Sequence, residues 1–183
     1  MYLRILPLAL MLVACSGPEP QFLIDTPTQA GSARLRVATL EVRQVSLPAY
    51  AAASEILLEG EDGALTQVDN ALWADEPARA VTLAIAEQIG AASSATVAPE
   101  PWPLADDAQA AVQVTVSRLV ARNNGTLRLT GQYAISSYDK VVRERIQGFD
   151  IVVPMVGEGP QAIARATGAA VTQLSGQITQ SLR

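Results

Sequence analysis

The stretch Val112-Gln113-Val114-Thr115-Val116-Ser117 decides the fold of this chain. Its valines alternate with polar residues, so an extended strand built from it has one apolar side and one polar side. This alternation predicts a strand with one side buried against a core. The phase slips at Arg118-Leu119, where we expect a β-bulge or the end of the inward-facing side.

A hairpin is predicted directly after this strand. The sequence Asn123-Asn124-Gly125 favours a tight turn, because asparagine and glycine tolerate a positive φ. The returning strand places Leu127, Leu129, Gly131, Tyr133 and Ile135 on one side. A second turn at Ser137–Lys140 leads into a third strand, Val141–Val153. The three strands are therefore expected to form an antiparallel meander.

Five shorter strands are expected before the meander, since short apolar runs are bounded there by proline and glycine. They cover Phe22–Ile24, Arg34–Val45, the two arms of a hairpin at Glu55–Glu59 and Ala64–Val68, and Ala95–Ala98. Proline cannot donate a hydrogen bond to a sheet, so Leu47-Pro48-Ala49-Tyr50 is expected to end the second of these strands.

Two main helices are predicted from apolar residues at three- and four-residue spacing. The first runs from Pro77 to Gly90, and its buried stripe is Ala78, Val81, Ile85 and Ile89. The second opens near Gly157 and runs to about Leu182, with a stripe at Ile163, Thr167, Ala170, Leu174 and Ile178. This order of elements indicates an α/β domain in which helices pack on a mixed, largely antiparallel sheet.

The first residues have the pattern of an export signal. Arg4 precedes the apolar run Ile5–Val13, which is too short to span a bilayer. The segment Leu12-Val13-Ala14-Cys15 resembles a bacterial lipobox, which implies that Cys15 is acylated and becomes the first residue of the mature protein. The alternative is an ordinary signal peptide with an incidental cysteine. The expected organisation is a signal peptide at 1–14, a lipidated N-terminus and leash at 15–21, and one domain at 22–183.

Lipid attachment would decide where this protein resides. One acyl chain binds a membrane weakly, whereas several palmitate-like chains on Cys15 would hold the protein stably. Position 16 is Ser and not Asp, which by resemblance to the enterobacterial sorting rule implies the outer membrane, facing the periplasm. Cys15 is the only cysteine, so no internal disulfide is possible and the fold depends on packing.

Composition excludes several kinds of function. The chain has 13 basic and 18 acidic residues, and removing Arg4 with the signal gives 12 minus 18, a net charge of −6. This charge argues against nucleic-acid binding and against adhesion to anionic lipid. The absence of histidine excludes a Ser-His-Asp or Cys-His nucleophile and the usual zinc sites.

Four other patterns each have a structural reading that is preferred to a chemical one. Ser137-x-x-Lys140 is interpreted as a turn rather than a catalytic dyad. The acidic set Glu59, Glu61, Asp62 and Asp69 is interpreted as a charged hairpin rather than a calcium site. Asp106-Asp107 is interpreted as a strand entry rather than a glycosidase pair, and Gly157-x-Gly159 as a helix start rather than a phosphate cradle. No cofactor or metal is expected.

Leu72-Trp73 precedes the first main helix and has two readings. The tryptophan belongs either to the core or to an exposed anchor at a protein interface, where tryptophan is enriched.

Several short sequence elements follow one another along the chain: the lipobox, Phe22-Leu23-Ile24, Leu47-Pro48-Ala49-Tyr50, Glu55–Leu58 and Leu72–Pro77. With these elements in this order, the chain resembles the ABC-type transport auxiliary lipoprotein family over nearly its entire length.

The resemblance implies a three-layer α/β domain and a non-enzymatic role in lipid trafficking. Its partner would be an MCE (mammalian cell entry) protein that forms a conduit across the periplasm, and the lipoprotein would receive that conduit at the outer membrane, with homo-oligomers possible. The candidate partner-binding residues are Leu47, Pro48, Tyr50 and Trp73. One alternative is a pilot lipoprotein for a barrel or secretin, and another is a small hydrolase that uses carboxylates.

Overall fold

The computed structural model describes residues 19–27, 31–138 and 140–183. These residues form eight strands and three helices. The strands are β1 (Gln21–Phe22), β2 (Thr39–Val42), β3 (Glu55–Glu59), β4 (Leu65–Trp73), β5 (Thr96–Pro99), β6 (Ala110–Arg122), β7 (Thr126–Ser136) and β8 (Arg145–Pro154). The helices are α1 (Ala49–Ala52), α2 (Pro77–Ala92) and α3 (Gly159–Ser181).

The expected meander forms the longest part of the sheet. Strand β7 pairs antiparallel with β6 on one side and with β8 on the other. The register of β6 shifts between Val116 and Arg118, which confirms the predicted bulge. Gly131 lies opposite the bulge, where a Cβ would overlap the carbonyl oxygen of Thr115 and lie 2.9 Å from the Phe149 ring. A residue without a side chain is therefore needed at this position.

The other edge of β6 is divided between two strands. Strand β2 pairs in parallel with the start of β6, at Leu40 and Ala110, and strand β3 pairs in parallel with its end, at Leu58 and Ala121. Strand β5 extends the sheet from β2, and the hairpin partner β4 extends it from β3, followed by the short β1. The sheet is thus mixed, and it forks along one edge of β6.

Helices α2 and α3 lie side by side on one face of the sheet. Tyr133 points to this face and shares a 2.7 Å hydrogen bond with the hydroxyl of Ser181 in α3. The stripes predicted for both helices are buried, and residues such as Ile85, Ile89, Leu174 and Ile178 are fully enclosed. Burial of this apolar area is the main source of stability, since the chain has no disulfide partner for Cys15. The expected α/β fold, a mixed sheet packed by helices, is confirmed.

Several boundaries differ from the prediction for local reasons. The strand expected over 34–45 is limited to Thr39–Val42, although Leu35 and Val37 are buried as expected. Helix α2 continues past Gly90 to Ala92, and the carbonyl of Gly90 accepts from the N–H of Ser93 at the end of the helix. The third meander strand begins at Arg145 rather than at 141, because Val142 is buried in the preceding turn. No helix in the described ranges is long and apolar enough to cross a membrane.

Candidate docking site

Tyr50 occupies the fork of the sheet. After β2 the chain stays beside the edge of β6 as far as Ser46, whose N–H donates to the carbonyl of Val114. It then enters α1 at Ala49. The hydroxyl of Tyr50 then accepts a 3.2 Å hydrogen bond from the backbone N–H of Leu119. That N–H faces the fork, between the parts of β6 that pair with β2 and with β3. Tyr50 therefore supplies the acceptor that no strand provides there.

Leu47 and Pro48 are half-buried where α1 begins. The carbonyl of Pro48 accepts from the N–H groups of Ala51 (2.9 Å) and Ala52 (3.0 Å) and so starts the helix. Leu47 packs against the edge of the apolar core. Both residues hold α1 in place, and part of each remains accessible to a partner.

Trp73 lies at the end of β4, beside Phe22 of β1. Its N–H donates to the carbonyl of Ser54 at 2.7 Å. Trp73 and Tyr50 line the same small cavity, of about 30 Å³, together with Ile56 and Thr167. The structure thus brings the two aromatic candidates together, whereas Leu47 and Pro48 do not line this cavity.

Trp73 also borders a larger open cleft, of about 370 Å³, between the N-terminal segment and α2. Two acidic residues, Asp75 and Glu87, contribute to its lining, and the apolar part of the lining comes from Phe22, Leu23, Ile24, Trp73, Ala80, Leu83 and Ala84. Leu23 is 70% exposed, a high value for a leucine. Arg79 pairs with Asp75, so one of the two acids is neutralised. We call this the N-terminal cleft.

The N-terminal segment that forms one wall of the cleft is fixed to the body. The carbonyl of Pro20 accepts from the N–H of Leu72 at 3.2 Å, and the carbonyl of Pro27 accepts from the side chain of Gln88 at 2.9 Å. Between these points the chain crosses α3 at Gly168, where a Cβ would overlap the carbonyl of Asp25. We call residues 23–27 the strap. Cys15 lies outside the described residues.

Sequence reasoning does not find this cleft. The apolar run Phe22-Leu23-Ile24 predicts a strand, but only Gln21–Phe22 pairs with β4, and the next two residues line the cleft. The signal that could have indicated it is the position of three apolar residues directly after a proline-containing leash.

The chemical alternatives have structural roles. The hydroxyl of Ser137 donates to the carbonyl of Gln109 and accepts from the N–H of Val141, so it builds the turn that contains Lys140. Glu59 pairs with Arg118 and Arg122. Within the described part of the chain, no group of three or more acidic or metal-ligating residues is placed to hold a metal ion. Gly157 and Gly159 have positive φ and lead into α3.

The face of the meander opposite the helices is a second open surface. Arg128 and Asp150 form a bidentate ion pair on it, at 2.9 and 2.6 Å. The hydrogen bonds from Arg128 lower the pKa of Asp150 below its ordinary value, and the same pairing raises the pKa of Arg128. Ile146 and Val152 of β8 are also exposed, at 71% and 53%.

Residues 22–179 match the family of ABC-type transport auxiliary lipoprotein components, and the chain belongs to this family. The match covers nearly the whole folded domain, including the fork, the N-terminal cleft and the strap. The protein is accordingly a lipoprotein associated with an ABC-type transport system.

Solved structures share the fold. A crystal structure of an uncharacterized protein has a TM-score of 0.69 at 17% identity and covers 87% of this chain and 100% of its own. Protein XCC0632 from Xanthomonas campestris, of the DUF330 family, has a TM-score of 0.69 at 12% identity and covers 87% and 92%. A substituted variant of the PelC dodecamer from Paraburkholderia phytofirmans is more distant, with a TM-score of 0.47 at 11% identity, covering 84% of this chain and 92% of its own. None of the curated proteins is significantly similar in sequence.

Proposed function

We propose that this lipoprotein is a non-enzymatic docking component of an ABC/MCE-type lipid transport system. It would be anchored through acylated Cys15 in the outer membrane, face the periplasm and receive the conduit formed by an MCE protein. Membership of the transport auxiliary family supports the transport role. The outer membrane is supported by Ser16, which stands where the sorting rule would require Asp for retention in the inner membrane.

The observation that carries the docking role is the N-terminal cleft. It has an apolar floor, an exposed leucine and a tryptophan, which are the residue types that anchor protein partners. One wall belongs to the segment that leads to the lipidated cysteine, so an occupant of the cleft is held close to the membrane. In this proposal Trp73 contacts the partner in the cleft, and Leu47, Pro48 and Tyr50, at α1, are further partner contacts.

The test is capture of the MCE protein by the full-length lipoprotein in detergent. Leu23→Asp places a charge at the cleft without altering the core, and we expect it to weaken capture at least about tenfold, the effect of losing a central interface residue. Leu104→Asp is the matched control, because Leu104 is 54% exposed and lies outside the cleft.

Equal capture by the two variants would exclude the cleft as the docking site. Retention of a secretin or barrel protein in place of an MCE protein would favour the pilot-lipoprotein alternative. The anchor is tested separately by intact mass: Cys15→Ser should lack the acyl chains and leave the membrane fraction.

A further inference from the structure

Strand β8 forms an open edge of the sheet. The N–H of Met155 donates to the carbonyl of Gly125 across the β7–β8 pair at 2.8 Å. Hydrogen-bonding direction alternates along an antiparallel strand, so odd-numbered residues of β8 bond to β7 and even-numbered residues point outward. The outward groups are those of Ile146, Gly148, Asp150 and Val152. Throughout ranges 19–27, 31–138 and 140–183, no backbone group bonds to them.

This edge has few of the features that usually prevent strand addition, since its charged residues are Arg145 and Asp150 and the second of them is paired with Arg128. The β7–β8 register is unbroken from Arg145 to Pro154, so no bulge twists the edge away. The strand contains no lysine, and its one proline is at the last position. Ile146 and Val152, the outward residues at its two ends, are largely exposed. A long edge of this kind is a template for pairing with another strand.

We propose that β8 pairs antiparallel with β8 of a second copy of this chain, about a two-fold axis at Phe149. This inference is independent of the docking function proposed above. In this register Ile146 of one copy lies opposite Val152 of the other, and Gly148 lies opposite Asp150. Outward residues then meet outward residues at every hydrogen-bonded position, which gives four pairs with two hydrogen bonds each.

The neighbouring registers are less favourable. An axis at Asp150 would place the two Asp150 carboxylates directly opposite each other, and like charges in that position destabilise a sheet. An axis at Gly148 would place Ile146 opposite Asp150 and leave Val152 without an apolar partner. Only the axis at Phe149 pairs the exposed apolar residues and leaves room beside Gly148 for the Arg128–Asp150 ion pair.

The first test compares two substitutions at one residue in the full chain in detergent, with mass measured by analytical ultracentrifugation. Gly148→Pro removes an outward N–H and leaves the bonds to β7 intact, since proline is tolerated where the N–H of an edge strand faces solvent. Gly148→Ala keeps the N–H, and its Cβ would lie 3.8 Å from the nearest atom, the carbonyl of Gly131. We expect dimers of the natural chain and of Gly148→Ala, and a dissociation constant for Gly148→Pro raised at least about tenfold.

The second test fixes the register and does not depend on how Gly148→Pro folds. Chains carrying Ile146→Cys are mixed with chains carrying Val152→Cys and oxidised. A disulfide should form between the two kinds of chain and in neither kind alone, because paired residues lie about 5.5 Å apart whereas identical residues lie far apart in this register. Monomers at all concentrations, oligomers unaffected by Gly148→Pro, or no mixed disulfide would each overturn the proposal, as would a different protein bound at β8 of a monomer.

Discussion

The crossing of the strap over α3 allows a sharp test of how the N-terminal segment is held. Gly168 lies in α3 directly beneath Asp25, and a Cβ at this position would overlap the Asp25 carbonyl. Both the helix and the strap are backbone at the point of contact, so neither can relieve the overlap by rotating a side chain. Gly168→Ala is therefore expected to lift the strap.

The expected free energy combines two opposing effects. Replacing glycine by alanine inside a helix stabilises it by about 1 kcal/mol. Forced overlap in a packed region costs about 1–3 kcal/mol, and losing the Gln88–Pro27 hydrogen bond costs about 1 kcal/mol more. The net prediction for Gly168→Ala is a loss of about 1–3 kcal/mol in the free energy of unfolding.

A matched control lies in the same helix. A Cβ at Gly176 would meet no atom within 4 Å beyond its own stretch of helix, so Gly176→Ala should gain the helix propensity without overlap. The two variants should therefore differ by about 2–4 kcal/mol in equilibrium urea unfolding, with Gly176→Ala the more stable. Cleavage by a protease near residues 23–27 should also accelerate in Gly168→Ala alone. Equal stabilities and equal cleavage would refute the role given to Gly168.

Three other experiments probe the sheet. Tyr50→Phe removes the acceptor for the Leu119 N–H and should lower the free energy of unfolding in urea by about 1–2 kcal/mol. Tyr138→Phe, at an exposed tyrosine, is the control and should change it by less than about 0.5 kcal/mol. Equal effects would contradict the role given to the Tyr50 hydroxyl. Gly131→Ala should destabilise far more than Gly148→Ala in thermal unfolding, because only Gly131 faces a bulge, and similar melting temperatures would show that the bulge relaxes freely. The pKa of Asp150 in the folded state lies below its ordinary 3.8, so the ionised carboxylate stabilises the fold above that pH, and this stabilisation is lost as the pH falls through the folded-state pKa. Asp150→Asn should therefore make the free energy of unfolding depend less on pH on the acid side. An unchanged dependence would argue against the pairing with Arg128.

The meander could be predicted because the residues that determine its strands and turns are near one another in the sequence. Alternation at Val112–Val116 sets the buried side, and Asn123-Asn124-Gly125 supplies the turn, so the strands and even the bulge follow from near neighbours in sequence. The stripes of α2 and α3 are predictable for the same reason, since period and burial coincide in an amphipathic helix.

The fork and the N-terminal cleft depend on contacts between residues that are far apart in the sequence. Nothing near Tyr50 in the sequence indicates that its hydroxyl meets Leu119, and nothing near Gly168 indicates that Asp25 crosses it. The parallel pairings of β2 and β3 with β6 are also long-range, and no hairpin signal accompanies them. Separate sequence patterns point to Trp73 and Tyr50, and only the fold places them around one cavity. The role of these two residues and of Leu47 and Pro48 in partner binding stays a prediction.

The strap has a mechanical consequence for an anchored protein. Four residues separate Cys15 from Pro20, so the five Cα–Cα steps between them span at most about 18 Å, and from Pro20 onward the chain is held between the end of β4 and the middle of α3. If Cys15 carries the proposed lipid, a force on that lipid reaches the folded domain through only a few residues of chain. The domain should therefore stay close to the membrane and tilt over only a limited range, which is set by where the chain enters the fold.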